Sequence, residues 1–215
     1  MAENNIVETY RLLYDRFGTQ NWWPADTPFE VMVGAVLTQN TSWHNVVKAL
    51  DNLKMASLLS YTALSGMSVE DIADRIRPSG YYNVKARRLK NLLVMVEEKY
   101  NGELALFFQE DMWVARDNLL AVAGVGPETA DSILLYACNA PIFVIDGYTH
   151  RIFSRHNMVE EESDYQTMQE LFMDSLPEDT QLYNEYHALI VKTATTYCKK
   201  KNPLCDQCPL RGLNL

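Results

Sequence analysis

Several groups of residues have the types and spacing to do chemistry. Gly124-Val125-Gly126 sets two glycines around one apolar residue, just before Pro127-Glu128-Thr129. Glycine reaches backbone angles that other residues resist, so such a turn can aim successive amides and the next helix N-terminus at a phosphate oxygen. It would grip a nucleic-acid backbone without reading sequence; as a bare Gly-Val-Gly it is equally a tight helix–helix turn. Asp146 follows the apolar run Val144-Ile145 and precedes Gly147-Tyr148-Thr149-His150. A carboxylate there can cap a helix, stabilise a developing cation, or orient and deprotonate water. Trp22-Trp23-Pro24 and Trp43 offer flat faces for stacking or for packing. Cys198, Cys205 and Cys208 cluster while Cys138 stands apart. With Met1-Ala2-Glu3-Asn4-Asn5 lacking a basic and apolar leader, the cluster reads as metal ligands before disulfides, in a cytoplasmic, reducing setting.

The elements that must position these groups are helical. Ile6, Tyr10, Leu13 and Phe17 recur at helical spacing over 4–17. Thr27-Pro28 opens a second helix, apolar all round from Val31 to Leu37 and therefore central. Further helices are expected near 43–53, after Ser68, over 83–100, and near 111–120, 127–139, 146–155, 165–175 and 181–197. The chain shows no strand alternation, repeat or low-complexity linker. Its 215 residues, 47% hydrophobic and 22% charged, are ordinary for one large or two small globular domains. Wholesale disorder is excluded, and no apolar run approaches the roughly 20 residues of a membrane span. With 19 basic and 28 acidic residues the net charge is −9. Any nucleic-acid site is then a local, salt-sensitive patch on an acidic protein.

A hairpin, one helix and an aspartate at the next helix start resemble the helix-hairpin-helix DNA glycosylases of the endonuclease III superfamily. Cys198-x6-Cys205-x2-Cys208 matches the first three ligands of that family's iron–sulfur loop. Trp22-Trp23-Pro24, Gly34 to Thr41, Arg77 to Asn83, Lys85-Ala86 and Ile133 to Cys138 resemble the endonuclease III-related 3-methyladenine DNA glycosylases in particular. The resemblance implies an all-α, two-domain HhH-GPD fold. A six-helix barrel would span 24–140, and 1–23 with 141–215 would form a second helical domain bearing the cysteine loop. It further implies base excision on double-stranded DNA containing damaged bases, by a monomer with no organic cofactor and no membrane partner.

The same resemblance assigns roles. Asp146 is the catalytic residue, and Gly124, Val125, Gly126 and Thr129 meet DNA. Bifunctional relatives carry a lysine two residues after the second glycine; Glu128 stands there and cannot form a Schiff base. Water is then the nucleophile, and strand cleavage is not expected. Trp43 with Trp22 or Trp23 would sandwich the flipped base, with a cationic 3-methyladenine drawn to the indole faces. Gln39 or Asn40 would fill the vacated place in the duplex, or simply end a helix. His44 reads as an exposed helix residue; Lys85, Arg87, Arg88 and Lys90 as a solvated face; Trp113 as packing; and Cys138 as a small buried hydrophobe. The family's fourth cysteine is replaced by Asn214. That leaves a 4Fe-4S cluster with three thiolates and another ligand, a 3Fe-4S cluster, a zinc site, or a loop that binds nothing. The rival readings are a glycosylase for uracil, thymine or an oxidised pyrimidine, and a non-catalytic DNA-binding protein that keeps the hairpin without needing Asp146.

Overall fold

A computed structural model describes residues 2–213, with side chains from Asn5 on. The described residues form twelve α-helices and no strand. They are α1 (Ala2–Phe17), α2 (Pro28–Thr38), α3 (Trp43–Met55), α4 (Tyr61–Gly66), α5 (Val69–Arg75), α6 (Tyr82–Tyr100), α7 (Leu104–Phe108), α8 (Met112–Leu120), α9 (Pro127–Tyr136), α10 (Gly147–Arg155), α11 (Tyr165–Ser175) and α12 (Thr180–Thr196). Two are additions to the sequence reading, α4 and α7, of six and five residues. Helices this short carry little periodicity. None of the helices is long and apolar enough to cross a membrane.

The chain divides into two compact units, Ala25–Ala140 and residues 1–24 with 141–215. In the first, α2 is buried from Phe29 to Leu37 and packs against α3, α6 and α9. Its start follows the local rules. Thr27 Oγ1 accepts the Glu30 N–H at 3.2 Å and Pro28 fills the first position, where its missing donor matters least. Glu30, though 3% exposed, is paired with Lys54 Nζ at 2.7 Å and accepts the Asp26 N–H at 2.9 Å. The hairpin helices α8 and α9 are clamped by Arg116, whose Nε and Nη2 donate to the fully buried Asp131 at 2.7 and 3.2 Å. A buried carboxylate is tolerable only with such a partner.

The basic run on α6 departs from the solvated face expected of it. Only Arg87 is exposed. Lys85 is 1% exposed and donates to Leu37 O at 2.8 Å and Ser79 O at 2.6 Å. Lys90 donates to Ser65 O at 2.6 Å and Met67 O at 2.8 Å. Helix ends leave carbonyls without intrahelical donors, and long cationic stems satisfy them from beneath. Burial, helped by the Arg88 charge, pushes the Lys85 ammonium down to about 8. Trp113 also departs from expectation: it is 52% exposed on α8 rather than packed.

In the other unit α1 packs on α11 and α12, and α10 packs on α12. Its core is aromatic: Phe143 stacks on Phe172 at 4.3 Å between centroids, with Phe153, Tyr183 and Tyr186 around them edge-on or tilted. Tyr186 donates to Ile6 O at 2.7 Å, tying α12 to α1. The irregular run before Asp146 is held from α11. Gln169 Nε2 donates to Phe143 O at 2.6 Å, and the Ile145 N–H donates to the Tyr165 hydroxyl at 3.4 Å.

Lys85→Met should lower stability by about 2–4 kcal/mol, because two buried carbonyls lose their donor. Urea unfolding followed by circular dichroism would show a lower midpoint at unchanged slope; a midpoint within error of the parent would mean that the two contacts contribute nothing.

Candidate functional site

The hairpin between α8 and α9 is built from two glycines with different jobs. Gly124 has φ +97°, and a Cβ there would meet Arg88 Cγ at 2.4 Å, so both its backbone and its neighbour require glycine. Gly126 caps α9 in an extended conformation, φ −101° and ψ 178°, open to any residue, and a Cβ there would meet nothing within 4 Å. The fold gives no reason for glycine at 126. The space in front of the α9 N-terminus is open there, and a helix N-terminus favours an anion. Val125, expected to face DNA, is 6% exposed, and its N–H donates to Val122 O at 3.0 Å. It anchors the turn in the core instead of presenting an amide outward.

Gln39, at the C-terminal cap of α2, meets this hairpin directly. Its Nε2 donates to Gly124 O at 3.1 Å and Thr129 Oγ1 at 2.9 Å, while its Oε1 accepts Arg88 Nη1 at 2.5 Å. Asn91 Nδ2 adds a bond to Ala123 O at 3.0 Å. The structure thus brings Gln39, Gly124 and Thr129 together and adds Arg88, which the sequence reading left among surface charges. Thr129 is 7% exposed, its hydroxyl turned to Gln39. Asn40, next in the chain, is exposed with φ +53°. His44 is exposed as expected. Tyr81 is a further residue the sequence reading passed over: it is 72% exposed in the left-handed region, φ +46°, just ahead of α6. Trp43 is the first residue of α3 and half-buried. Glu128 is exposed in the first turn of α9, where an acid complements the helix dipole.

Asp146 lies in the other unit, at the N-cap of α10. Oδ1 accepts the Tyr148 N–H at 2.9 Å, the Thr149 N–H at 2.7 Å and the Thr149 hydroxyl at 2.9 Å. Oδ2 faces His187 Nε2 at 3.5 Å, and the two side chains are 10% and 7% exposed. Burial alone would raise the carboxyl pKa. The His187 imidazole facing it, then the Thr149 amide and hydroxyl, outweigh it and hold the group below the ordinary carboxylate range. The aspartate is therefore a helix cap through one oxygen, and a charged, nearly buried anion through the other. His187 had no sequence signal, sitting mid-helix on α12. In the same unit Trp22 and Trp23 are half-buried, their rings edge-on at 5.7 Å and 62°.

The cysteine loop follows α12. Cys198 is buried, with its Sγ 3.4 Å from Arg155 Nη1; Cys205 is exposed and Cys208 half-buried. Burial and the neighbouring Cys198 and Cys205 thiols push the Cys208 thiol up, against a Leu210 amide. Among the described residues no group of three or more histidine, cysteine, aspartate or glutamate side chains is placed to hold a metal ion. Asn214, at the fourth ligand position, lies outside the described residues. Protein hydrogen bonds set the course of the loop. Arg151 Nε donates to Cys198 O at 2.8 Å, Arg155 reaches Lys199 O at 2.9 Å and Lys200 O at 3.3 Å, and His156 meets Leu213 O at 2.7 Å. Cys138 is half-buried, its thiol pushed up to about 12 by burial.

Residues 33–178 match the model of the HhH-GPD superfamily base excision DNA repair proteins. A protein of Methanocaldococcus jannaschii, provisionally named a DNA repair glycosylase, is 47% identical over 98% of this chain and 97% of its own. Endonuclease III of Thermotoga maritima is 32% identical over 86% of this chain and 81% of its own. Among solved structures, the H. pylori 3-methyladenine DNA glycosylase bound to 1,N6-ethenoadenine superposes with a TM-score of 0.77 at 29% identity, covering 88% of this chain and 97% of that one.

The two glycines should separate on substitution. Gly124→Ala is expected to lose roughly 2–4 kcal/mol of stability. Gly126→Ala should melt within about 0.5 kcal/mol of the parent yet bind duplex DNA about tenfold more weakly, as when one hydrogen-bonded phosphate contact is lost. Thermal melts with fluorescence anisotropy would show both; undiminished binding by Gly126→Ala would remove the hairpin from the DNA interface.

Proposed function

The chain belongs to the HhH-GPD superfamily of base excision DNA repair proteins and is a DNA N-glycosylase; from that premise we propose that it is monofunctional and removes alkylated purines, 3-methyladenine foremost. The observation that carries the catalytic half is Asp146, an ionised carboxylate with Oδ1 locked into the α10 cap and Oδ2 uncommitted to it. As the bond from sugar C1′ to the base nitrogen breaks, its electron pair leaves with the base and positive charge grows on the sugar. A fixed anion stabilises that charge without reorganising. Water then adds to C1′, and Asp146 can orient it and take its proton.

Two features favour water over an amine. Glu128 occupies the place of the lyase lysine, and the Lys85 ammonium is 1% exposed and engaged by Leu37 O and Ser79 O. The substrate reading draws support from the H. pylori relative and from the tryptophans. A methylated adenine in DNA is cationic, so it already has the charge of a good leaving group. Trp43 with one of Trp22 and Trp23 supplies electron-rich faces suited to it. A neutral base would demand hydrogen bonds for discrimination. In this reading Gly124, Gly126 and the start of α9 hold DNA backbone, and Asn40 or Gln39 fills the place the base leaves. The enzyme acts alone on damaged duplex DNA.

Base release from methylated duplex, followed with strand scission in the same reaction, is the test. The parent should release 3-methyladenine and nick only after alkali; no release, alongside activity on a uracil or thymine mismatch, would overturn the substrate reading. Asp146→Asn keeps a good cap, so its melting temperature should stay within a few degrees while release falls at least about 100-fold. Trp43→Ala should lose release through weaker lesion binding, and unchanged release would sink the stacking role.

A further inference from the structure

Asp146 is nearly buried, and a buried carboxylate is pulled toward whatever donor lies nearest. Three donors converge on Oδ1, and all belong to the first turn of α10. They hold that oxygen, but hydrogen bonds tolerate a limited swing of the carboxylate plane, and the group that faces Oδ2 decides which orientation within that range is kept. The group that faces Oδ2 comes from a different helix. His187 Nε2 is 3.5 Å away, and the imidazole is itself 7% exposed. In water such a pair would contribute little; with both groups desolvated, the interaction is several-fold stronger. At 3.5 Å the contact is longer than a made hydrogen bond, so it biases Oδ2 while leaving its second lone pair available. α10 and α12 pack on one another, so the pairing rests on the core of this unit and not on a loop.

We propose that His187 is a positioning residue for the glycosylase reaction: from α12 it aims Asp146 Oδ2 at the developing sugar cation, while the α10 cap holds Oδ1. The inference rests on Asp146 being the catalytic carboxylate. His187 itself touches neither base nor sugar, and its effect passes wholly through Asp146. Loss of that aim would lower the rate of bond cleavage and leave recognition of the lesion intact. A misdirected catalytic group costs on the order of 10- to 100-fold in rate. A glutamine, whose terminal amide can donate from near the Nε2 position, should restore part of what an apolar residue of similar size removes.

The experiment is a double-mutant cycle under single turnover, on methylated duplex and on uracil and thymine-mismatch duplexes. It uses the parent, Asp146→Asn, His187→Leu, His187→Gln and the double variant Asp146→Asn/His187→Leu. Thermal melts and lesion-DNA Kd are measured on each. The expected result is a roughly 10- to 100-fold lower rate for His187→Leu at unchanged Kd, partial recovery in His187→Gln, and a double variant no slower than Asp146→Asn alone, since both act through one group. Additive losses, or His187→Leu at the parental rate, would overturn the positioning role. Parental activity in Asp146→Asn would instead overturn the catalytic reading on which it rests. Should His187→Leu fail to fold, the His187→Gln rate and its pairing with Asp146→Asn decide the same question.

Discussion

The Asp146 carboxylate is nearly buried, and withdrawing an anion from water is tolerable only where donors and dipoles replace the lost hydration. Two α10 amides, the Thr149 hydroxyl, the helix dipole and His187 do so here. Much of this unit's architecture follows from that requirement. The run from Phe143 to Ile145 has no regular structure of its own, and Gln169 and Tyr165 supply the partners its backbone lacks. The aromatic cluster of Phe143, Phe153, Phe172, Tyr183 and Tyr186 fixes both the approach to Asp146 and the helix that bears His187. A small shift of α12 against α10 would change what Oδ2 faces, which is why packing and chemistry cannot be separated at this site.

The Ala25–Ala140 unit solves a different problem, holding the Gly124–Gly126 turn still. Gln39 is the hub, joining the end of α2 to Gly124, Thr129 and Arg88. The Arg88 stem fills the space that a side chain on Gly124 would need. The Arg116–Asp131 pair then fixes α8 against α9. A turn so braced has little conformational entropy left to lose on binding a ligand. Gly126, free of steric demand, is the position whose identity the fold does not explain.

The protein's cations are used in an unexpected direction. Lys85, Lys90, Arg151 and Arg155 all donate to backbone carbonyls. In a chain of net charge −9 these side chains serve as fasteners. Attraction for DNA is then left to the remaining basic groups and to helix N-termini. The loop after α12 shows the same economy. It carries three thiols at a metal-binding spacing, yet its course is set by arginines of α10.

What was legible in the sequence were the features set by short-range physics. Apolar periodicity located ten of the helices, Thr27-Pro28 and Ser68 marked two of their starts, and Gly-Val-Gly with an aspartate one helix later marked the turn before α9 and the cap of α10, because capping, turn geometry and spacing act within a few residues. Asp146 was readable as the cap of α10, which it is. Tertiary structure alone decided the partners: that Lys85 turns inward, that Gln39 is held by Arg88, that Val125 is an anchor, that Trp113 is exposed, and that His187 meets Asp146 across 41 residues of chain. Periodicity reports only which face of an element is apolar. Where a long or polar side chain ends up depends on which carbonyl or carboxylate another element brings within its reach, and that is a property of the packed chain.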